Sequence, residues 1–324
     1  MFKNMKLLWV VSRPEFLPAN LASLFMAFSW ASSPSLVFTW ELAILLALSF
    51  AIITAVSAFG AQINTMSDYE LDSNDERKKR LVQAMDGLGR NRVKSAIIVE
   101  FLIGFVLISL LFLIEWKPAL LFMWIAGFFL AYAYSAPPLR LKSRSWLALC
   151  SLLLVLCFLP IMFVYYTLTS ELDPLFLLFL AGQAMTVYAI LIPTEIRDYF
   201  GDKAMGVETV TVHLGLVKAS LLGMVLLGAG GILSGTAFFL KLVFELDKPV
   251  LSVFLLAIAV ADIIVLREYR KLYCFSKEYT SSKAQGSVAQ DIVGLSARNP
   301  KWITLVSQTI VFMSLMLLVG KFLV

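Results

Sequence analysis

The sequence predicts an all-α polytopic membrane protein with about nine transmembrane helices. Of its 324 residues, 60% are hydrophobic and only 15% charged, whereas soluble domains average roughly half and a quarter. The excess is gathered in long apolar runs, many close to the about 20 residues a helix needs to span hydrocarbon. The runs fall at roughly 14–34, 40–64, 94–114, 118–135, 146–168, 174–196, 217–240, 249–266 and 302–323. The segments between them alternate in charge. Lys3, Lys6 and Arg13, the 65–94 segment, Arg140 to Arg144, Arg197 to Lys218 and the 267–301 segment lie on one side. Only Lys117, Lys241, Lys248 and Lys321 fall on the other. Basic residues favour the cytoplasm, so an integral protein of the cell membrane is expected, N-terminus inside and C-terminus outside.

The remaining composition narrows the class further. The apolar run after Lys6 reaches only Val11, so a cleavable leader is not expected. The net charge of +5 follows the loop asymmetry, and no nucleic-acid partner is expected. Cys150, Cys157 and Cys274 suggest no disulfide framework, and the first two read as packing residues in an apolar run.

Charge is densest in "NTMSDYELDSNDERKKR", from Asn64 to Arg80. Asn64, Asp68 and Asp72 are spaced by four, so on a continuing helix they share one face. Stacked carboxylates repel unless a cation sits between them, although a hydrated helix end would also account for single acids here. A second cluster, "PTEIRDYFGDKAMGVETVTVHLG", repeats the spacing at Asp198 and Asp202, with Glu195 a turn earlier. Both pairs are offset by 130 residues, with four helices between. A single domain over 1–324 follows, a pseudo-repeat of four-helix units with cytoplasmic loops 65–93, 197–216 and 267–301. Carboxylates beside basic residues suit Mg²⁺, which is commonly held by a few carboxylates together with substrate phosphates.

These motifs resemble those of the UbiA-type intramembrane prenyltransferases. "NTMSDYELD" resembles the family's NxxxDxxxD motif, and "RDYFGDKAMGVETVTVHLG" its second, DxxxD followed by glycine and threonines. "YSAPPLRLKSR" resembles the cytoplasmic segment after the fourth helix, and "SRPEF" the Arg-Pro start of the first. One departure is Leu81 after Arg80, where relatives often carry Arg-Pro. The resemblance implies a UbiA-like fold, its helices around a central cavity. It also implies transfer of an isoprenyl group from an allylic isoprenyl diphosphate donor to a lipophilic acceptor, aromatic or lipid, in membrane lipid. Two Mg²⁺ ions are implied, bridged by the catalytic carboxylates Asp68, Asp72, Asp198 and Asp202 with Asn64 in support. Arg13, Arg77, Lys78 and Lys142 become candidate diphosphate contacts, with positive-inside anchoring as the alternative. Tyr134 and Tyr199 would place rings near a developing cation or anchor at the interface.

Other features carry less. His213 is the only histidine and has no cysteine cluster beside it. Gly231 and Gly235 have the spacing of close helix packing. The 267–301 segment reads as a surface helix, a lid or a loop on anionic lipid. Neither GxxxxGK[ST] nor HExxH occurs. Two rival classes remain: a cation-coupled secondary transporter, and a non-catalytic isoprenoid-binding protein of the same fold.

Overall fold

A computed structural model describes residues 2–33, 38–73, 76–281 and 285–322, with the side chains of Phe2, Arg77 and Gln285 outside the description. Among these residues the chain is helical, and its one isolated β-bridge pairs Arg144 with Glu208. The helices are α1 (Phe2–Val11), α2 (Leu17–Ala31), α3 (Trp40–Ser67), α4 (Tyr69–Asp72), α5 (Lys79–Leu88), α6 (Arg90–Ile114) and α7 (Pro118–Ser135). They continue as α8 (Trp146–Leu153), α9 (Leu159–Leu168), α10 (Pro174–Ala204), α11 (Val210–Leu240), α12 (Leu255–Ser281), α13 (Gln285–Ser296) and α14 (Asn299–Phe322).

Eight helices among the described residues are long and apolar enough to cross a membrane. The nine expected runs differ from this count at the first, where α2 has 15 residues. At 1.5 Å per residue it reaches about 22 Å, short of the hydrocarbon thickness. Several boundaries also move. Helix α10 continues to Ala204 and α12 to Ser281, so much of the polar 197–216 and 267–301 segments is helical, a surface helix being one of the readings of the latter. Helix α13 buries Val288, Ile292 and Leu295, a spacing that lines one helical face.

Helix starts follow local chemistry. Thr39 caps α3 by accepting from the Leu42 N–H, and Asp173 caps α10 by accepting from Leu175 and Phe176 with Pro174 at the first position. Thr209 caps α11 through the Val212 N–H. Between α8 and α9 the chain makes a π-turn at Leu154–Phe158, just before Pro160, whose missing N–H rules out the ordinary bond to Leu156.

The chain divides into two compact units. The first comprises Met1–Ala31, Leu36–Leu141 and Leu159–Ser170. Its core is aromatic: Phe128 meets Phe59, Trp124 and Phe101 at centroid separations of 4.8, 5.1 and 5.2 Å. This ties α3, α6 and α7 together. Beside Phe59, a Cβ on Gly60 would lie 3.2 Å from the Ala131 Cβ, so small residues let α3 and α7 run close toward their C-terminal ends. The outer face of α6 is apolar and exposed, with Ile98, Leu102, Phe105 and Val106 all more than half exposed. Lipid accounts for such a face better than water does.

The second unit comprises Ser32–Ser35, Lys142–Phe158 and Glu171–Val324. Its α10 and α11 cross tightly at Gly182 and Gly230, where a Cβ on either would come within 2.8 Å of the other's carbonyl oxygen. The expected Gly231–Gly235 pair is therefore displaced by one residue. Gly235 has open space, and Gly231 faces the Asp262 carboxylate. One residue is about 100° of helix rotation, enough to change the neighbour. Cys157 is buried as expected of a packing residue, whereas Cys150 is exposed.

Candidate active site

In the first unit the acidic motif sits where α3 ends. Asp68 leaves helical geometry (φ −101°, ψ 6°). The hydrogen-bond register nevertheless continues: the Asp68 N–H donates to the Asn64 carbonyl at 2.9 Å and the Asp72 N–H to the Asp68 carbonyl at 2.8 Å. Asn64 donates its side-chain amide to Asp68 Oδ2 and to Ser135 Oγ, each at 3.0 Å. The close approach at Gly60 and Ala131 explains the second bond, since Asn64 and Ser135 each lie one turn further on.

Asp68 and Asp72 are only 6% and 4% exposed. Burying a carboxylate is costly without a counter-charge, and each has one. Arg140 Nη2 lies 3.5 Å from Asp68 Oδ1, and Lys78 Nζ lies 2.5 Å from Asp72 Oδ1. Arg140 Nε is buried and has no hydrogen-bond partner among the described residues. Nearby, Tyr69 donates its hydroxyl to Asp86 at 2.5 Å. That bond, with desolvation and the Asp86 charge adding to it, raises the phenol above the ordinary tyrosine range.

The other candidates of this unit vary. Tyr134 is half-buried in the last turn of α7. Arg13 is engaged locally, pairing with Glu15 at 2.9 Å and lying over the Phe16 ring at 4.8 Å. The Arg77 side chain lies outside the described residues. Sequence reasoning missed Ser135 and Arg140. Arg140 stands two residues before Lys142 in the same "RLK", and nothing in the spacing distinguishes them.

In the second unit α10 carries Glu195, Asp198 and Asp202 on its last turns. Arg197 meets Asp198 through two nitrogens, at 3.1 and 3.3 Å. Asp198 and Asp202 are half-buried. Glu195 turns toward α11, accepting from the Thr211 hydroxyl at 2.9 Å, the Thr211 N–H at 3.3 Å and the Tyr188 hydroxyl at 3.4 Å. It thus serves as a brace between α10 and the threonine-rich stretch. Tyr199 is packed in the apolar core of this unit, 8% exposed, with Lys203 Nζ 5.6 Å from its ring centre. Lys142 is half-buried on the 3₁₀ turn Leu141–Ser143.

Among the described residues, no group of three or more His, Cys, Asp or Glu side chains is gathered as a metal cage. The donors present are carboxylate and carboxamide oxygens, hard ligands of the kind Mg²⁺ takes, and that ion commonly completes its shell with water and phosphate. The Asp72 oxygen already meets a positive charge in Lys78. The residues fit such an ion.

A family model described as the UbiA prenyltransferase family matches residues 17–277. The chain belongs to this family. Within the UbiA match lie both acidic motifs, Ser135, Arg140 and Lys142, whereas Arg13, α13 and α14 lie outside it. A UbiA homologue from Archaeoglobus fulgidus, solved bound to GPP and Mg²⁺, has a TM-score of 0.62 at 18% identity, covering 94% of this chain and 99% of that one. The structure of a digeranylgeranylglyceryl phosphate synthase gives 0.61 at 16%, covering 97% and 99%. A UbiA homologue from Aeropyrum pernix K1 gives 0.54 at 13%, covering 90% and 98%. These likenesses establish a shared UbiA fold. No curated protein matches the sequence.

Proposed function

We propose that this UbiA-family protein transfers an isoprenyl group from an allylic isoprenyl diphosphate to a lipophilic acceptor within the membrane, releasing diphosphate. The observation that carries the reading is the first acidic motif. Two nearly buried carboxylates, Asp68 and Asp72, each meet a cation, and one of those cations, Arg140, keeps a buried N–H without a partner among the described residues. Homologues solved with GPP or DMAPP and Mg²⁺ support the choice of donor.

Asn64, Asp68, Asp72, Asp198 and Asp202 would hold Mg²⁺, which when bound supplies charge neutralisation for the departing diphosphate. Asn64, held by Ser135, keeps the Asp68 carboxylate oriented. Lys78 and Arg140 balance the carboxylates in the ligand-free protein and offer N–H donors to diphosphate oxygens, as fixed cations do in phosphoryl recognition. Arg13, Arg77, Lys142, Tyr134 and Tyr199 remain candidate contacts for the donor. Apolar helices around the reacting carbon would keep water from the allylic cation. The basic residues flanking both acidic motifs support a cytoplasmic side for them.

The test is diphosphate release by the purified protein in lipid nanodiscs, given labelled geranyl diphosphate, Mg²⁺ and a native lipid extract, with products read by mass spectrometry. Asp68→Ala and Asp198→Ala should each reduce release by about 10²-fold or more, and chelation of Mg²⁺ should abolish it. Tight donor binding without turnover across the extract would instead indicate a non-catalytic isoprenoid binder. Turnover unaffected by chelation would overturn the mechanism.

A further inference from the structure

We infer that Tyr269 and Asn299 are positioning residues for the second acidic motif, acting on α10 at its internal proline; this rests on the function proposed above. Pro193 lies inside α10. Having no N–H, it leaves the carbonyl of Ala189 without its helical donor, and its ring crowds that carbonyl. Another helix supplies that donor, and a second adds bonds one residue on. Tyr269 of α12 donates its hydroxyl to the Ala189 oxygen at 2.6 Å. Asn299, at the start of α14, donates to the Ile190 oxygen at 2.9 Å and to Thr194 Oγ1 at 2.7 Å.

Both side chains are enclosed, Tyr269 at 0% and Asn299 at 1% exposure. Tyr269 reaches α10 because Gly223 of α11 gives it room; a Cβ there would sit 3.0 Å from the ring. The Trp302 ring, at 5.6 Å, backs it from α14. Three helices thus converge on α10 beside its proline.

Pro193 lies five residues before Asp198 and nine before Asp202. Along a helix that is about 8 and 14 Å, so a 10° bend at the proline would move the Asp202 backbone by about 2 Å. Misplacement by about 1 Å can cost 10²-fold in an organised site. Glu195, braced by Thr211 and Tyr188, holds the turn between Pro193 and the two aspartates. Tyr269 and Asn299 therefore govern where this half of the site points without touching the substrate.

The experiment measures Mn²⁺ binding by electron paramagnetic resonance, in the presence of inorganic diphosphate, on the full-length protein in nanodiscs. Tyr269→Phe keeps the ring and removes only the donor. It should weaken Mn²⁺ binding about tenfold, as loss of an outer-shell partner does, and raise the Mg²⁺ needed for half-maximal diphosphate release by a similar factor. Asn299→Ala should do the same, and carries the test should the first variant not be recoverable. Unchanged Mn²⁺ affinity in the variants, with only the unfolding midpoint lowered, would show a purely structural role and overturn the inference. In that case wild-type binding and turnover leave the proposed function intact. A wild type that neither binds Mn²⁺ nor releases diphosphate overturns both.

Discussion

Lys78 and Lys79 are adjacent in sequence and differ in circumstance. Lys78, 40% exposed, pairs with the nearly buried Asp72. Lys79, 65% exposed, lies 3.8 Å from a Glu76 that is 90% exposed, a surface pair of the kind that contributes little. Lys78→Ala and Arg140→Ala should each raise the KM for the allylic diphosphate about tenfold, or about 1.4 kcal/mol, while Lys79→Ala leaves it unchanged. Initial-rate measurements on the three variants decide this; an equal loss in Lys79→Ala would reduce the whole basic run to membrane anchoring. The run itself was plain in the sequence. Which of its members meets a carboxylate was not, because neighbouring residues on a helix point about 100° apart and only the packed partner distinguishes them.

At the scale of elements, two crossings organise the units. In the first, Gly60 against Ala131 brings Asn64 to Ser135, 71 positions away. In the second, Gly182 against Gly230 locks α10 to α11, and α10 carries Asp198 and Asp202. Gly230→Leu should lower the unfolding midpoint in detergent, an overpacking penalty of about 1–3 kcal/mol, whereas Gly235→Leu, in open space, should leave it unchanged. Equal midpoints would mean that the crossing is not tight. A small-residue spacing in the sequence identified α11 as a packing helix but placed the contact one residue off. Glycines recur along α11, and the face that is used depends on where Thr186 and Ser234 stand on the facing turns.

For the whole molecule, the loop charges predict sidedness. In a variant without its three natural cysteines, a cysteine at Asp247 should react with an impermeant maleimide in intact cells. One at Ser73 should react only after permeabilisation; the reverse pattern would overturn the orientation. The apolar spans were legible in the sequence because bilayer thickness sets their length, and eight helices meet that length among the described residues. The spacing of Asn64, Asp68 and Asp72, and of Asp198 and Asp202, was legible because helical periodicity is local. Membership of the UbiA family was legible in the same motifs. Other features needed the tertiary structure: Arg140 at Asp68, Thr211 at Glu195, and Tyr269 and Asn299 beside Pro193. The last two reach across 80 and 109 positions. Period and composition are local properties of the chain and are written in it directly. The donor that reaches an orphaned carbonyl or a buried carboxylate is decided only when helices pack, because it depends on which small residues let two backbones approach.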